Sequence, residues 1–260
     1  KIVIPVHFAG QPCDMKEIYA LSQQYGFKII EDAAHAIGAK YQSQPVGNCR
    51  YSDITVFSFH PVKIITTGEG GAVMTNNQFY AEKMELFRSH GVTRDPAKMS
   101  KNTDGHWYYE QIDLGFNYRM TDIQAALGNS QLNRLDQYIS RRAEIVGLYN
   151  DQFKDVAIDP LLQKPDRESA HHLYVVQVLN GKQNRDKIYN DLYDNKIGVN
   201  VHYMPIYKQP YYHMKNSNMK LEASEKYYDT SFSLPLFPSL LKKQINLVIK
   251  RVHSAYERGL

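Results

Sequence analysis

The chain has 260 residues, 43% of them hydrophobic, which is enough for one large domain or for a large domain and a small one. Its 31 Lys and Arg residues against 27 Asp and Glu residues give a net charge of +4 at pH 7. That charge is too small and too evenly spread to indicate a nucleic-acid partner, so an anionic ligand would need a local site. No apolar run approaches the roughly 20 residues that a membrane span requires, and no membrane partner is expected.

Two cysteines, Cys13 and Cys49, lie in unrelated contexts without CxxC or metal-ligand spacing. We therefore expect no metal site, and reduced thiols in a cytoplasmic protein, with a disulfide bond between the two cysteines as the alternative. The start of the sequence has no charged-then-apolar signal segment.

Short β-branched runs alternate with helical patterns in the first half of the chain, which is typical of an α/β fold. In the first predicted helix Asp14 is the expected N-cap, Glu17 completes a capping box and Gly26 ends the helix. The predicted strands are Ile2–Val6, Phe27–Glu31, Asp53–Ser58 and Gly71–Thr75, and the predicted helices are Asp14–Tyr25 and Gln78–His90.

The first predicted strand, Ile2–Val6, is an apolar run with no polar lead-in. Such a run is typical of a strand that is buried on both faces of a sheet. We therefore expect the chain to begin inside a domain whose N-terminal part is missing. On that expectation, residues 1–260 alone would be poorly soluble and inactive.

The pattern changes after residue 90. The stretch Gly91–Asn117 is polar and rich in aromatic residues, and loops of this length are often functional. Thr121 and Asp122 then open a helical region that runs to about Lys154, with a predicted break near Asp136–Ser140.

The last third of the chain predicts a smaller α+β domain. Its predicted elements are a strand at His172–Leu179, a helix at Arg185–Asn195, a strand at Ile197–His202 and a helix after Pro238. We therefore expect a large domain over residues 1–135, followed by a connecting helix and a small domain over residues 136–260.

Asp32 directly follows the buried strand predicted at Phe27–Glu31. In open α/β sheets, ligands bind at the carboxyl ends of the strands, so this carboxylate is a candidate site residue. A turn or cap aspartate would give the same local pattern. The small residues Ala33, Ala34 and Gly38 would let a flat ring approach the backbone closely.

A second candidate segment runs from Ser58 to Lys63 and is followed by the glycine-rich turn Thr67–Gly71. The Ser58 hydroxyl and the turn are suited to an anionic phosphate. Lys63 lies between two apolar strands, where lost solvation would lower its pKa and make the neutral amine available for Schiff-base chemistry. Taken alone, the segment would also fit a lysine that lies in a loop and is exposed to solvent.

The two segments together match the needs of one cofactor, pyridoxal phosphate (PLP). PLP requires an amine for its aldehyde, a carboxylate that keeps the ring nitrogen protonated and donors for its phosphate. Lys63, Asp32 and Ser58 supply one each.

The chain also resembles the DegT/DnrJ/EryC1/StrS family of nucleotide-sugar aminotransferases. Seven segments carry the resemblance in chain order: Glu31–Ala39, Ser58–Lys63, Thr67–Gly71, Arg88–Gly91, Gly115–Met120, Val201–Pro205 and Leu234–Pro238. Within the family, Ser58–Lys63 and Trp107–Gln111 are most similar to the branch that acts in pseudaminic acid biosynthesis. The resemblance implies a PLP fold-type I (aspartate-aminotransferase-like) large domain that lacks its N-terminal part, and a small C-terminal α+β domain.

The resemblance also implies a role for each matching cofactor residue. Lys63 would bind the cofactor covalently and move the proton, Asp32 would pair with the ring nitrogen, and Ser58 would bind the phosphate. Ala34 would pack on one face of the ring, and His35 would bond the ring hydroxyl.

Four further residues match positions near the substrate or the neighbouring subunit. The resemblance implies that Asn117 reaches the phosphate of the neighbouring subunit, which requires a homodimer with shared sites. Arg119, His202 and Tyr203 would lie near the nucleotide sugar. For Arg119 and Tyr203, ordinary packing or a surface ion pair is the alternative.

The expected reaction transfers an amino group from glutamate to C4 of a UDP-linked 4-keto-6-deoxy-2-acetamido sugar. Two alternatives stay open: the same chemistry on a GDP- or dTDP-linked 4-keto sugar, and a non-catalytic PLP-binding protein that regulates. Relatives that dehydrate sugars carry histidine in place of the lysine, so Lys63 indicates a transaminase.

Two features depart from the family pattern. A Gly-Thr phosphate cradle and an aromatic residue that stacks on the ring cannot be located, and we expect both upstream of Lys1. His35 stands where many relatives carry Gln, which indicates a subgroup.

Overall fold

The computed structural model describes residues 1–100, 105–179, 181–214 and 219–259. The chain divides into two compact units, one of Lys1–Phe8 with Pro12–Leu135 and one of Ala9–Gln11 with Asp136–Leu260. Within the described residues, no helix has the length and apolar character needed to cross a bilayer.

The first unit is an α/β structure around one four-stranded sheet. Its elements are β1 (Ile2–Val3), α1 (Met15–Tyr25), β2 (Lys28–Asp32), β3 (Lys40–Tyr41), β4 (Gln44–Pro45), β5 (Ile54–Ser58), β6 (Gly71–Met74), α2 (Gln78–Arg88), β7 (Val92–Thr93), β8 (Glu110–Gln111) and α3 (Asp122–Leu132). The sheet order is β1-β2-β5-β6, in which β1, β2 and β5 are parallel and β6 is antiparallel to β5.

Side chains alternate between the two faces of β2. Ile29 and Glu31 are buried on one face, where Ile29 packs with Met15 of α1 and with Tyr41. Ile30 and Asp32 are half-buried on the other face. This alternation puts Glu31 and Asp32, although adjacent, on opposite sides of the sheet.

The second unit is an α+β structure. Its elements are α4 (Leu135–Gln152), β9 (Ile158–Pro160), β10 (Arg167–Glu168), β11 (Tyr174–Val178), α5 (Lys182–Asp194), α6 (Pro210–His213), α7 (Glu222–Thr230), β12 (Ser231–Leu234) and α8 (Lys242–Gly259). The antiparallel sheet β12-β11-β9 packs with α4, α5 and α8 around buried residues that include Tyr149, Val176, Leu192, Phe232 and Val252.

The expectation that Ile2–Val6 is buried on both faces is wrong for this structure. The strand covers only Ile2–Val3, and Ile2 and Ile4 expose 58% and 57% of their surface. Within the described residues, β1 pairs with β2 alone at the edge of the sheet, and the apolar side chains of residues 2–4 stay exposed.

The predicted positions of both caps of α1 are confirmed, since Asp14 is the N-cap residue and Gly26 the C-cap residue, but the predicted capping box is not formed. Gly26 ends the helix in a left-handed conformation, with φ of 68°. Asp14 makes no capping hydrogen bond through its side chain, and the Glu17 carboxylate instead accepts a hydrogen bond from the Tyr41 hydroxyl at 3.3 Å. Long-range contact therefore replaces the predicted capping box.

Two predictions for the later chain are also wrong. The helical break lies at residues 133–134, earlier than Asp136–Ser140, because the chain turns there through a hydrogen bond from Arg134 N to Gln131 O. Ile197–His202 is not a strand: only an isolated bridge joins Asn200 to Ser233, although Ile197 and Val199 are buried.

The stretch Gly91–Asn117 contains the short pair β7 and β8, and residues 101–104 of it lie outside the described residues.

Candidate active site

Two predicted site residues end neighbouring parallel strands. Asp32 is the last residue of β2, and Ser58 is the last residue of β5. The strands pair with Asp32 opposite Val56, and Ala33 N extends the pairing by donating to Val56 O at 2.9 Å. Asp32 and Ser58 therefore lie at the same edge of the sheet, and the predicted position of Asp32 at a strand end is confirmed.

The Asp32 carboxylate is oriented by the backbone that follows it. Oδ1 accepts a hydrogen bond from Ala34 N at 3.0 Å, and no other hydrogen bond to this carboxylate is made within the described part of the chain. Oδ2 accepts none of the described hydrogen bonds. His35 is 8% exposed, and its ring centroid lies 6.1 Å from that of Phe8.

A closed turn connects β5 to β6 and carries Lys63. Phe59 N donates to Gly70 O at 2.8 Å, and Thr67 N donates to Phe59 O at 3.0 Å, so the two ends of the turn are joined. Lys63 N donates to His60 O at 2.9 Å. The turn is therefore an ordered structure that holds Lys63 close to the end of β5.

Lys63 and Asp32 interact electrostatically. Partial burial lowers the pKa of the Lys63 amine below its ordinary value, and the negative charge of Asp32 opposes that shift. The buried side chains of Ile64 and Ile65 directly follow the lysine in sequence. A lysine with a lowered pKa offers more neutral, nucleophilic amine near pH 7.

Gly70 lies where a side chain would not fit. Its φ is 151°, and an added Cβ would collide with Thr67 Oγ1 and Met120 Cε. Gln124 of α3 donates to Glu69 O at 3.0 Å. The glycine turn thus packs closely against the start of α3.

Asn117 and Arg119 are exposed, next to that contact. Asn117 forms an isolated bridge with Ser89. Arg119 lines an open groove together with Ser89, His90, Val92, Arg94 and Tyr109. Among the described contacts, neither residue touches Lys63 or Asp32.

His202 and Tyr203 belong to the second unit. His202 Nδ1 lies 2.8 Å from Ser233 Oγ, and the His202 and Tyr203 rings meet edge to face at 4.6 Å. Tyr203 is 55% exposed. The contact with Ser233 orients His202 within this unit.

The sequence did not predict a buried polar cluster on the face of β2 that is opposite Asp32. Glu31 is 6% exposed, and His7 and Thr55 are fully buried beside it. A charged residue in a continuous apolar strand is the one signal that could have indicated such a cluster, because a buried carboxylate requires partners.

The described residues contain no group of three or more His, Cys, Asp or Glu side chains that could hold a metal ion. Cys13 and Cys49 are free thiols. The chemistry available at the end of β2 and β5 is thus that of an amine, a carboxylate, a hydroxyl and a glycine turn.

Comparison with known proteins matches the chain to a family. The model of the DegT/DnrJ/EryC1/StrS aminotransferase family covers residues 1–253. The chain is 38% identical to the spore coat polysaccharide biosynthesis protein SpsC of Bacillus subtilis, over 97% of the chain and 66% of that protein. It is 34% identical to a UDP-4-amino-4,6-dideoxy-N-acetyl-beta-L-altrosamine transaminase of Campylobacter jejuni, over 97% of the chain and 65% of that protein.

A solved structure agrees with the sequence match. Helicobacter pylori PseC, an aminotransferase involved in the biosynthesis of pseudoaminic acid, superimposes with a TM-score of 0.90 at 32% identity. The alignment covers 98% of this chain and 66% of that one, so the chain spans about two thirds of the length of these relatives. The aminotransferases of this family depend on PLP. Since the family model covers nearly the whole sequence, the chain belongs to the DegT/DnrJ/EryC1/StrS aminotransferase family.

Proposed function

We propose that this chain carries the catalytic lysine of a PLP-dependent nucleotide-sugar aminotransferase of fold type I. The observation that carries the proposal is that Asp32 and Ser58 end neighbouring parallel strands at one edge of the sheet, with the Lys63 amine close enough to interact electrostatically with Asp32. An amine of lowered pKa beside a carboxylate with one unused oxygen suits an aldehyde-bearing pyridine ring. Residues 1–135 would form the PLP-binding part, and residues 136–260 the connecting helix and the small domain.

The residues of the first unit fit the cofactor. When bound, PLP supplies an aldehyde that joins the lysine and a protonated ring that withdraws electrons. Asp32 Oδ2 would hold the proton on the ring nitrogen, and the Ser58 hydroxyl would bind the phosphate. Ala34 would lie against the ring and His35 beside its hydroxyl. The Lys63 amine, once released by the substrate, would carry the proton between carbon atoms.

The proposed acceptor is a UDP-linked 4-keto-6-deoxy-2-acetamido sugar, aminated at C4 with glutamate as donor. The names of the Campylobacter and Helicobacter relatives support this substrate class. Arg119 in its open groove would bind the nucleotide diphosphate, because a guanidinium matches phosphate geometry. His202 and Tyr203 of the second unit would contact the sugar.

We also propose a homodimer in the cytoplasm in which each site is completed by the partner subunit. The exposure of Asn117 and Arg119, and their lack of contact with Lys63 in the described chain, support a role toward a second subunit. Asn117 would then bind the phosphate of the cofactor that the partner holds.

The test is a half-reaction on the full-length protein in its amine-loaded cofactor form. UDP-, GDP- and dTDP-linked 4-keto sugars are added singly, and the absorption spectrum reports return of the aldehyde form of the cofactor. We expect the UDP-linked 2-acetamido sugar to react fastest, and the variant Lys63→Ala to show no catalytic return. A faster reaction with a GDP- or dTDP-linked sugar would overturn the substrate assignment, and no reaction with any of them would overturn the aminotransferase proposal.

A further inference from the structure

Glu31, the residue before Asp32, accepts three hydrogen bonds in the interior of the first unit. His7 Nε2 lies 2.7 Å from one carboxylate oxygen, while Thr55 Oγ1 at 2.9 Å and the Ser52 hydroxyl donate to the other. Burial alone would raise the pKa of Glu31, but these hydrogen bonds hold it below its ordinary value. Glu31 is therefore a buried and ionised carboxylate.

The hydrogen bonds of His7 define its protonation. Its Nδ1 accepts a hydrogen bond from Cys13 N at 3.2 Å, so Nδ1 carries no proton. Nε2 must then carry the proton that is donated to Glu31. The pair is a neutral imidazole and a carboxylate, and the cluster keeps a net negative charge.

The enclosed space beside this cluster is small. A cavity of about 20 Å³ lies beside Glu31 and is lined in part by Met15, Tyr41 and Tyr51. A volume of that size holds about one water molecule. The carboxylate therefore serves the structure around it, not a bound substrate.

The partners of Glu31 are also the segments that hold the backbone of Asp32. His7 N donates to Asp32 O at 3.0 Å, and Asp32 N donates to Pro5 O at 2.9 Å. Thr55 precedes Val56, the residue of β5 that pairs with Asp32. The Glu31 carboxylate therefore binds both backbone segments that pair with Asp32, the residue whose side chain faces the candidate site.

We propose that Glu31 is a positioning residue that acts on the cofactor through Asp32. By binding His7 on one side and Thr55 on the other, it fixes the end of β2, and with it the direction of the Asp32 carboxylate toward the ring nitrogen. This inference rests on the proposed function, because it assumes that Asp32 meets that nitrogen.

The test compares Glu31→Gln and the milder Thr55→Val in the full-length protein loaded with PLP labelled with ¹⁵N in the ring. The ¹⁵N chemical shift reports protonation of the ring nitrogen, and a titration reports the dissociation constant of PLP. We expect both variants to move the shift toward the unprotonated position and to weaken PLP binding about tenfold, the effect of one lost hydrogen bond to a charged group. Thr55→Ser, which keeps the hydroxyl, should show the wild-type ¹⁵N shift and the wild-type dissociation constant of PLP.

Ile29→Val is the matched control, because Ile29 is buried on the same face of β2 but lies outside the polar cluster. It should lower the melting temperature and leave the ¹⁵N shift unchanged. If Thr55→Val and Glu31→Gln behave like Ile29→Val, the cluster is only structural and the positioning role is overturned. Asp32→Asn distinguishes failure of the Glu31 proposal from failure of the proposed function. If this variant also leaves the ¹⁵N shift unchanged, Asp32 does not serve the ring nitrogen.

Discussion

At the scale of the residue, two opposed effects set the pKa of the Lys63 amine. Partial burial favours the neutral amine, whereas the Asp32 carboxylate favours the charged one. The effect of burial is the larger one, so the pKa of Lys63 is lowered, and the Asp32 carboxylate reduces the size of that shift. This balance favours the neutral, nucleophilic amine and leaves a negative charge near it, which is what the proposed cofactor would require.

The first prediction concerns the reactivity of Lys63 in the cofactor-free protein. Because its pKa is lowered, its neutral form should appear at a lower pH than the ordinary pKa of a lysine side chain implies. Competitive acetylation against a free lysine derivative, followed by peptide mass spectrometry, measures this reactivity. In Asp32→Asn the opposing charge is gone, so the reactivity profile of Lys63 should shift to still lower pH. A shift to higher pH in that variant would contradict the proposed pairing.

The second prediction concerns catalysis by Asp32. Asp32→Asn keeps the size of the side chain and can keep the hydrogen bond from Ala34 N, but it removes the charge that holds the ring proton. We expect PLP still to bind Lys63, while the transamination rate falls at least about a hundredfold, or roughly 3 kcal/mol of barrier. Single-turnover kinetics measure the rate. A near-normal rate would show that the carboxylate does not serve the ring nitrogen.

At the scale of the element, the site is made by strand ends and by one glycine turn. β2 and β5 bring Asp32 and Ser58 to one edge, and the turn that follows β5 returns Lys63 toward that edge. The turn depends on Gly70, whose backbone conformation and close neighbours exclude a side chain.

The third prediction compares two glycines of this turn. Gly70→Ala should weaken PLP binding at least about tenfold, because the new methyl group displaces Thr67 or Met120. Gly68→Ala is the matched control: its φ is also positive, at 82°, but no atom lies within 4 Å of the added carbon. The control should lose about 1 kcal/mol of unfolding free energy and little PLP affinity. Equal losses of affinity in both variants would show that close packing of the turn is unimportant.

The sequence predicted those elements whose signals are local. The strands Phe27–Glu31 and Asp53–Ser58 are confirmed with shifts of one residue, which is why Asp32 and Ser58 are found at a sheet edge. It missed β12 because Ser231 and Ser233 interrupt the apolar pattern, although both serines are buried by packing against β11. It also missed the partners of Glu31, which lie 21 to 24 residues away in sequence and meet only in the folded sheet.

At the scale of the whole molecule, the candidate residues are divided between two units. Asp32, Ser58 and Lys63 belong to the first unit, and His202 and Tyr203 belong to the second. Asn117 and Arg119 lie on the first unit but make no contact with Lys63 among the described residues. The proposed homodimer would give these two residues a site on the partner subunit.

The fourth prediction is complementation between two inactive full-length variants. Lys63→Ala removes the lysine, and Asn117→Ala removes the residue proposed to serve the partner's site. A mixed dimer of the two contains one intact site, made of Lys63 from one chain and Asn117 from the other. After random mixing we expect about a quarter of the wild-type activity, since half of the dimers are mixed and each has one intact site of two. If Asn117 served its own chain, mixing would restore no activity.

The central claim, that Lys63 carries the cofactor, has a direct chemical test. The full-length protein is loaded with PLP, reduced with borohydride and digested, and the peptides are analysed by mass spectrometry. We predict that the reduced cofactor is found on the peptide that contains Lys63 and is absent from the peptides of Lys40 and Lys83. Cofactor attached to Lys40 or Lys83, with Lys63 unmodified, would contradict the claim.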